Sequence, residues 1–131
     1  MRFKAEQQYL DYRALSVRCP ALQMLLCSLD GYIRQVWDTE LTITSIYRQD
    51  TTVHGLWRAA DCRIEFNRDD DTDDIHWDNW EVIASRYNST FLYGKKTNGM
   101  PSKCIHLLDK DTPNQHAHIQ VPGGKWQGER V

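Results

Sequence analysis

The sequence predicts an α+β domain: a small antiparallel sheet with helices packed on one face. Three observations carry this. Apolar residues recur at helical spacing through the first third of the chain. Alternating, β-branched stretches dominate the remaining two thirds. Most of those stretches succeed one another with no crossover helix between them, which favours antiparallel pairing. At 131 residues the chain is read as one domain, residues 1–131, able to build a single core.

Residues 5–16 form a short first helix in this reading. Pro20 sits where a helix can start, and from it Leu22, Leu25, Leu26, Leu29, Ile33 and Val36 mark an amphipathic helix over 20–37, which Gly31 weakens without breaking. "LTITSIY" (41–47) is β-rich and alternates, so it is a strand; "RQDTT" is the turn after it and "WRAADCRIEF" (57–66) the next strand. The acidic run "DDDTDD" (69–74) leads into a helix over 74–88, supported by Ile75, Trp80, Val82 and Ile83, with Asp residues near the positive end of its dipole. "TFLYG" is a short strand and "KKTNGMPS" a loop. "KCIHLLD" and "HAHIQV" are the last two strands, joined by "KDTPNQ", and the tail "PGGKWQGERV" is loop.

Composition narrows the function classes. A formal charge of −2 argues against a strongly basic nucleic-acid binder, and with it against a His/Asp metal-dependent nuclease. Cys19, Cys27, Cys62 and Cys104 contain no CxxC pair, so a cysteine zinc knuckle is disfavoured and reduced thiols are expected, with Cys19 and Cys27 acting as small apolar helix residues. No segment approaches the roughly 20 apolar residues of a membrane span, and "MRFKAEQQYL" has no apolar signal core. The expectation is a monomer made in the cytoplasm without a signal peptide, which reaches any target outside only after release. The acidic run superficially suggests a calcium loop, but Ile75 stands where such a loop needs its turn glycine. His76 and His106 read as structural, and Trp77, Trp80 and Tyr87 as core.

Three pieces carry chemistry. In "DTPNQHAHIQV" (111–121), His116 and His118 stand two apart on a strand and so share one face, with Ala117 and Ile119 on the other. An HxH pair alone is weak evidence. In "TTVHGLWRAADCRIEF", His54 is followed seven residues later by Asp61, inside a strand that otherwise reads as buried. A carboxylate there is costly unless paired or coordinated; Arg63 is the plain structural partner, and Ala59 on the same face leaves room. In "TSIYRQ", Arg48 ends a strand, where a guanidinium can grip a carboxylate or an oxyanion.

The order S-x-Y-R, then H-x(6)-D with a small residue two before the Asp, then H-x-H on a late strand, resembles the D-alanyl-D-alanine metallopeptidases. These zinc peptidases act on bacterial cell-wall peptides and share a fold with the zinc domain of hedgehog proteins. The resemblance covers roughly residues 40–121 and rests on Ser45, Tyr47, Arg48, His54, Ala59, Asp61, His116 and His118. It implies zinc held by His54, Asp61 and His118, with water in the open fourth position. Arg48 would bind a substrate carboxylate or steady the oxyanion, and His116 would face the reaction. Apart from the resemblance, Trp57 and Tyr93 are read as aromatics that line the cleft.

The departures matter. Many relatives have Gly three residues after the first histidine, where this chain has Trp57, with Gly55 nearby. Thr52 replaces a Ser, a mild change. Several relatives have an acid three residues before the last histidine; here it is Gln115, which takes no proton from water. His116, assisted by Asp111, is the favoured base, with Asp109 in the same loop. The implied activity is a zinc peptidase of peptidoglycan peptides, such as a phage or prophage lysis enzyme; a cytoplasmic dipeptidase fits as well. The alternative is a non-catalytic zinc domain with a structural or binding role, which Gln115 favours.

Overall fold

The computed structural model describes residues 1–49, 55–65, 75–90 and 103–121. Among these, the chain is α+β, with three helices and a five-stranded open sheet. In chain order the elements are β1 (Arg2–Phe3), α1 (Glu6–Arg18), α2 (Pro20–Trp37), β2 (Thr42–Ser45), β3 (Ala59–Arg63), α3 (Trp77–Thr90), β4 (Ile105–Leu108) and β5 (His116–Gln120). The strand order is β1-β2-β3-β5-β4.

The sheet is mixed, which corrects the antiparallel expectation. β2 with β3, β3 with β5, and β5 with β4 are antiparallel, but β1 runs parallel to β2. The physical reason is the connection: α1 and α2 form the crossover that a parallel pair requires. β1 itself is too short to read from sequence. It is held by the Arg2 N–H donating to the Leu41 carbonyl (2.7 Å) and the Lys4 N–H donating to the Ile43 carbonyl (2.9 Å).

The helices form for the reasons their sequences give. α2 starts with Pro20 in its first turn and buries Leu22, Leu25, Leu26, Leu29 and Ile33, four of them completely. Val36, expected on the same stripe, is 51% exposed. The helix ends at Asp38, whose left-handed backbone caps it by donating N–H to the Arg34 carbonyl. In α3, Trp77, Trp80, Ile83, Ala84 and Tyr87 face inward; Val82 faces out, and Ile75 is buried just ahead of the helix. These side chains join Ile43, Ala60, Cys62, Ile105, Ala117 and Ile119 in one core, so the helices cover one face of the sheet. Cys27 is exposed, contrary to its expected apolar role, whereas Cys62 and Cys104 are buried; all four thiols are free. The acidic run 69–74 and residues 91–94 of the "TFLYG" strand lie outside the described residues, while Thr90, its first residue, ends α3.

Candidate functional site

The sheet's other face carries the polar residues. In β3, Ala60 and Cys62 enter the core, so Ala59, Asp61 and Arg63 point the opposite way. In β5, Ala117 and Ile119 are buried, and His116, His118 and Gln120 share the face of Asp61. The register sets Asp61 opposite His118 and Arg63 opposite His116. On the far side, His106 of β4 lies opposite His118, their ring centroids 5.9 Å apart. The β2–β3 register shifts between Ile43 and Ser45, so Thr44 and Ser45 both border Asp61, and the Thr44 hydroxyl donates to the Asp61 carbonyl at 3.2 Å. An irregularity of this kind re-aims side chains beside a site.

Asp61 is the hub. Its residue is only 8% exposed. Oδ1 accepts from His118 Nδ1 at 3.2 Å and lies 3.9 Å from His116 Nε2; Oδ2 lies 3.5 Å from an Arg48 guanidinium nitrogen. The partner of Asp61 is thus Arg48 from the strand end, not Arg63 two residues along. His118 Nε2 faces Gln120 Oε1 at 3.1 Å, while the Gln120 amide nitrogen donates to the Lys103 carbonyl at 3.3 Å. Both ring nitrogens of His118 therefore face oxygens, an arrangement satisfied by the imidazolium. The hydrogen bond to Asp61 raises the His118 pKa, against burial, with Gln120 adding to the rise.

His116 is held differently. Its Nδ1–H donates to the Asn114 carbonyl at 2.9 Å, so in the neutral ring Nε2 carries the lone pair toward the groove. The loop carboxylate that approaches its Nδ1, at 4.0 Å, belongs to Asp109, which the Asn114 amide also holds at 2.9 Å. Asp111, the expected assistant, is exposed with a positive φ of 62°; it contributes its backbone N–H, which donates to Gln115 Oε1 at 3.2 Å.

Gln115 is buried, and its amide is used at both ends. Beside the Asp111 contact, its Nε2 donates to the Glu65 carbonyl at 2.6 Å, tying the 109–115 turn to the end of β3. A residue read from sequence as a missing acid is here a backbone clamp.

Trp57 takes φ 60°, in the left-handed region that favours glycine. It stacks on Tyr47 at 4.6 Å between centroids, and the Arg18 guanidinium lies 5.6 Å from its ring centre. Tyr47 is 40% exposed, so the pair forms an aromatic shelf next to Arg48. Trp57 is not among the residues lining the groove beside Asp61. That groove, about 630 Å³, is lined by Thr44, Ser45, Arg48, Asp61, Gln115 and His116, together with Lys4, Arg63 and Glu65.

Comparison with protein-family models, characterised proteins and solved structures finds no match.

The geometry of the site brings together Arg48, Asp61, His116 and His118. His54 and Tyr93 lie outside the described residues. Among the described residues, no three His, Cys, Asp or Glu side chains form a group that could hold a metal. The spacing of the two described residues expected to hold zinc, Asp61 and His118, matches both a hydrogen bond and a shared tetrahedral ion. Two ligand atoms each about 2.0–2.1 Å from a tetrahedral zinc stand roughly 3.3 Å apart, and Asp61 Oδ1 and His118 Nδ1 stand 3.2 Å apart. Buried thiols do not compete for nucleophilic chemistry: burial pushes the Cys104 thiol up to about 11 and holds Cys62 well above its ordinary value, with Asp61 adding to the latter. Sequence reading missed Lys4 and the orienting role of Gln120. Gln120 was legible as the next same-face residue after His118; Lys4 enters only through the pairing of β1.

Proposed function

We propose that this chain is a zinc-dependent peptidase acting on bacterial cell-wall peptides, with His54, Asp61 and His118 as the metal ligands. The observation that carries this reading is the contact of Asp61 with His118 on the open sheet face, at zinc-ligand spacing, with Arg48 on the second carboxylate oxygen. A further support is Trp57, which keeps a glycine-like backbone at the position where the resembled family has Gly. Zinc bound there would supply Lewis acidity and an activated water near neutral pH.

The chain's own residues do the rest. Arg48, half-exposed at the groove, exchanges its contact with Asp61 for a substrate carboxylate. His116 takes the proton at Nε2, because Nδ1–H is committed to the Asn114 carbonyl and Asp109 steadies the charge that develops on the ring. Gln120 fixes the orientation of the His118 ring from its far nitrogen. The groove is open, which suits an extended peptide. The place of action is the cell wall, reached after release, as for a phage lysis enzyme.

A second reading, a non-catalytic zinc domain of the same fold class, is favoured by one observation. The Gln115 amide is bound to backbone on both sides and offers no base.

The experiment measures zinc by elemental analysis and then product release from muropeptides with and without chelator. One zinc per chain and chelator-sensitive cleavage are expected. Asp61→Ala should lose the metal, while Asp109→Ala and Asp111→Ala should keep it, with turnover falling more for Asp109→Ala. Zinc without cleavage selects the second reading; no zinc in the purified or zinc-supplemented protein sinks both.

A further inference from the structure

The groove beside Asp61 carries more positive charge than the proposed reaction uses. Lys4, Arg48 and Arg63 all line it, against the carboxylates of Asp61 and Glu65, although the whole chain is acidic with a formal charge of −2. Arg48 is accounted for by Asp61. Arg63 has lost that partner to Arg48. It stands two residues beyond Asp61 on the same face, about 6.8 Å along the strand, directly opposite His116. Lys4 arrives from a different strand: its N–H is fixed to the Ile43 carbonyl at 2.9 Å, which sets it beside Thr44. Neither Lys4 nor Arg63 makes an ion pair within the described residues.

Two exposed cations on a convex surface would be an ordinary solvated pair. Lys4 follows β1 and Arg63 ends β3, two strands that are not neighbours, and both reach one concavity whose described lining carries three Lys/Arg side chains against two carboxylates. A cleft of that kind focuses field lines and concentrates anions. The neighbouring guanidinium of Arg48 already offers a place for one carboxylate.

We propose that Lys4 and Arg63 form a second carboxylate subsite, so that the groove selects peptides with two free carboxylates, one held at Arg48 and the other between Lys4 and Arg63. That the ligand is a peptide and that Arg48 takes one of its carboxylates rest on the peptidase reading; that Lys4 and Arg63 together take an anion does not.

The test is calorimetric titration of chelator-treated protein, which turns nothing over, with N-acetyl-alanyl-glutamate and with N-acetyl-alanyl-glutamine. The two probes differ by one carboxylate. Wild type should bind the dicarboxylate roughly tenfold tighter, the effect of one or two charge-assisted hydrogen bonds. The double variant Lys4→Gln, Arg63→Gln should bind both probes alike, with its affinity for the glutamine probe unchanged. Both side chains are exposed, and a thermal melt checks that the variant folds. Equal affinities in wild type, or a preference that survives in the double variant, overturn the subsite. Because the readout needs neither metal nor cleavage, an intact preference in a protein that binds no zinc overturns the peptidase reading alone.

Discussion

At the scale of single residues, Gln115 and His118 make opposite demands on protons. Gln115 donates to a carbonyl at 2.6 Å while buried. A carboxylate there would face the Glu65 carbonyl with no hydrogen to give. Gln115→Glu, the change that would restore the acid of the resembled family, is therefore expected to destabilise the fold by about 1–3 kcal/mol at neutral pH, and by less in acid, where the protonated side chain can donate. Urea denaturation at two pH values checks it; an unchanged midpoint at neutral pH would show that the clamp is dispensable. For His118, the folded pKa is raised, chiefly by the hydrogen bond to Asp61 and against the effect of burial. The folded state thus binds the proton more tightly than the unfolded one. In metal-free protein its stabilisation is fully present below the unfolded value, about 6.5, and is lost as pH rises through the folded value. His118→Gln should flatten the stability–pH slope in that window. On the proposed zinc reading the preference should reverse, with zinc bound more tightly as pH rises, because metal and proton would compete for the same nitrogen.

At the scale of elements, two features have measurable consequences. Gly31 lies exposed inside α2, and a Cβ added there meets nothing within 4 Å. Gly31→Ala should stabilise the protein by about 0.5–1 kcal/mol, read as a shift in denaturation midpoint with unchanged m-value. A loss of stability would mean that the glycine serves a contact not evident in the helix. The β5 strand shows how element and site are coupled. Its period of two sends Ala117 and Ile119 into the core and His116 and His118 to the outer face, so a one-residue slip would empty the site and bury imidazoles. The strand pattern made this face assignment legible in "HAHIQV" from the sequence alone. That Asp109 rather than Asp111 approaches His116 was not legible, because it depends on the conformation of a turn with positive φ at both residues.

At the scale of the whole molecule, one core spans the helices and the inner sheet face, and the site occupies the outer face. The separation lets core and site be perturbed independently. Leu26, fully buried in α2, can be cut to Ala at a cost of about 2–5 kcal/mol; on the proposed zinc reading, the zinc content per folded chain should stay unaltered. Loss of zinc from the still-folded variant would show that the sheet bends when the core is cut. The mixed sheet follows from the helical crossover: α1 and α2 carry the chain back to lay β2 beside β1, which brings Lys4 to the groove.

The sequence by itself determined the types of the longer described elements, from α1 to β5, the core stripe of α2, the shared face of His116 and His118, and the cost of burying Asp61. These follow from local periodicity and from the chemistry of single side chains, which act over a few residues. Only the tertiary structure decided that Arg48 takes Asp61 from Arg63, that Gln115 clamps backbone, and that β1 turns the sheet mixed and delivers Lys4. Each of these depends on which distant segments become neighbours, and strand order and turn conformation are set by packing of the whole chain.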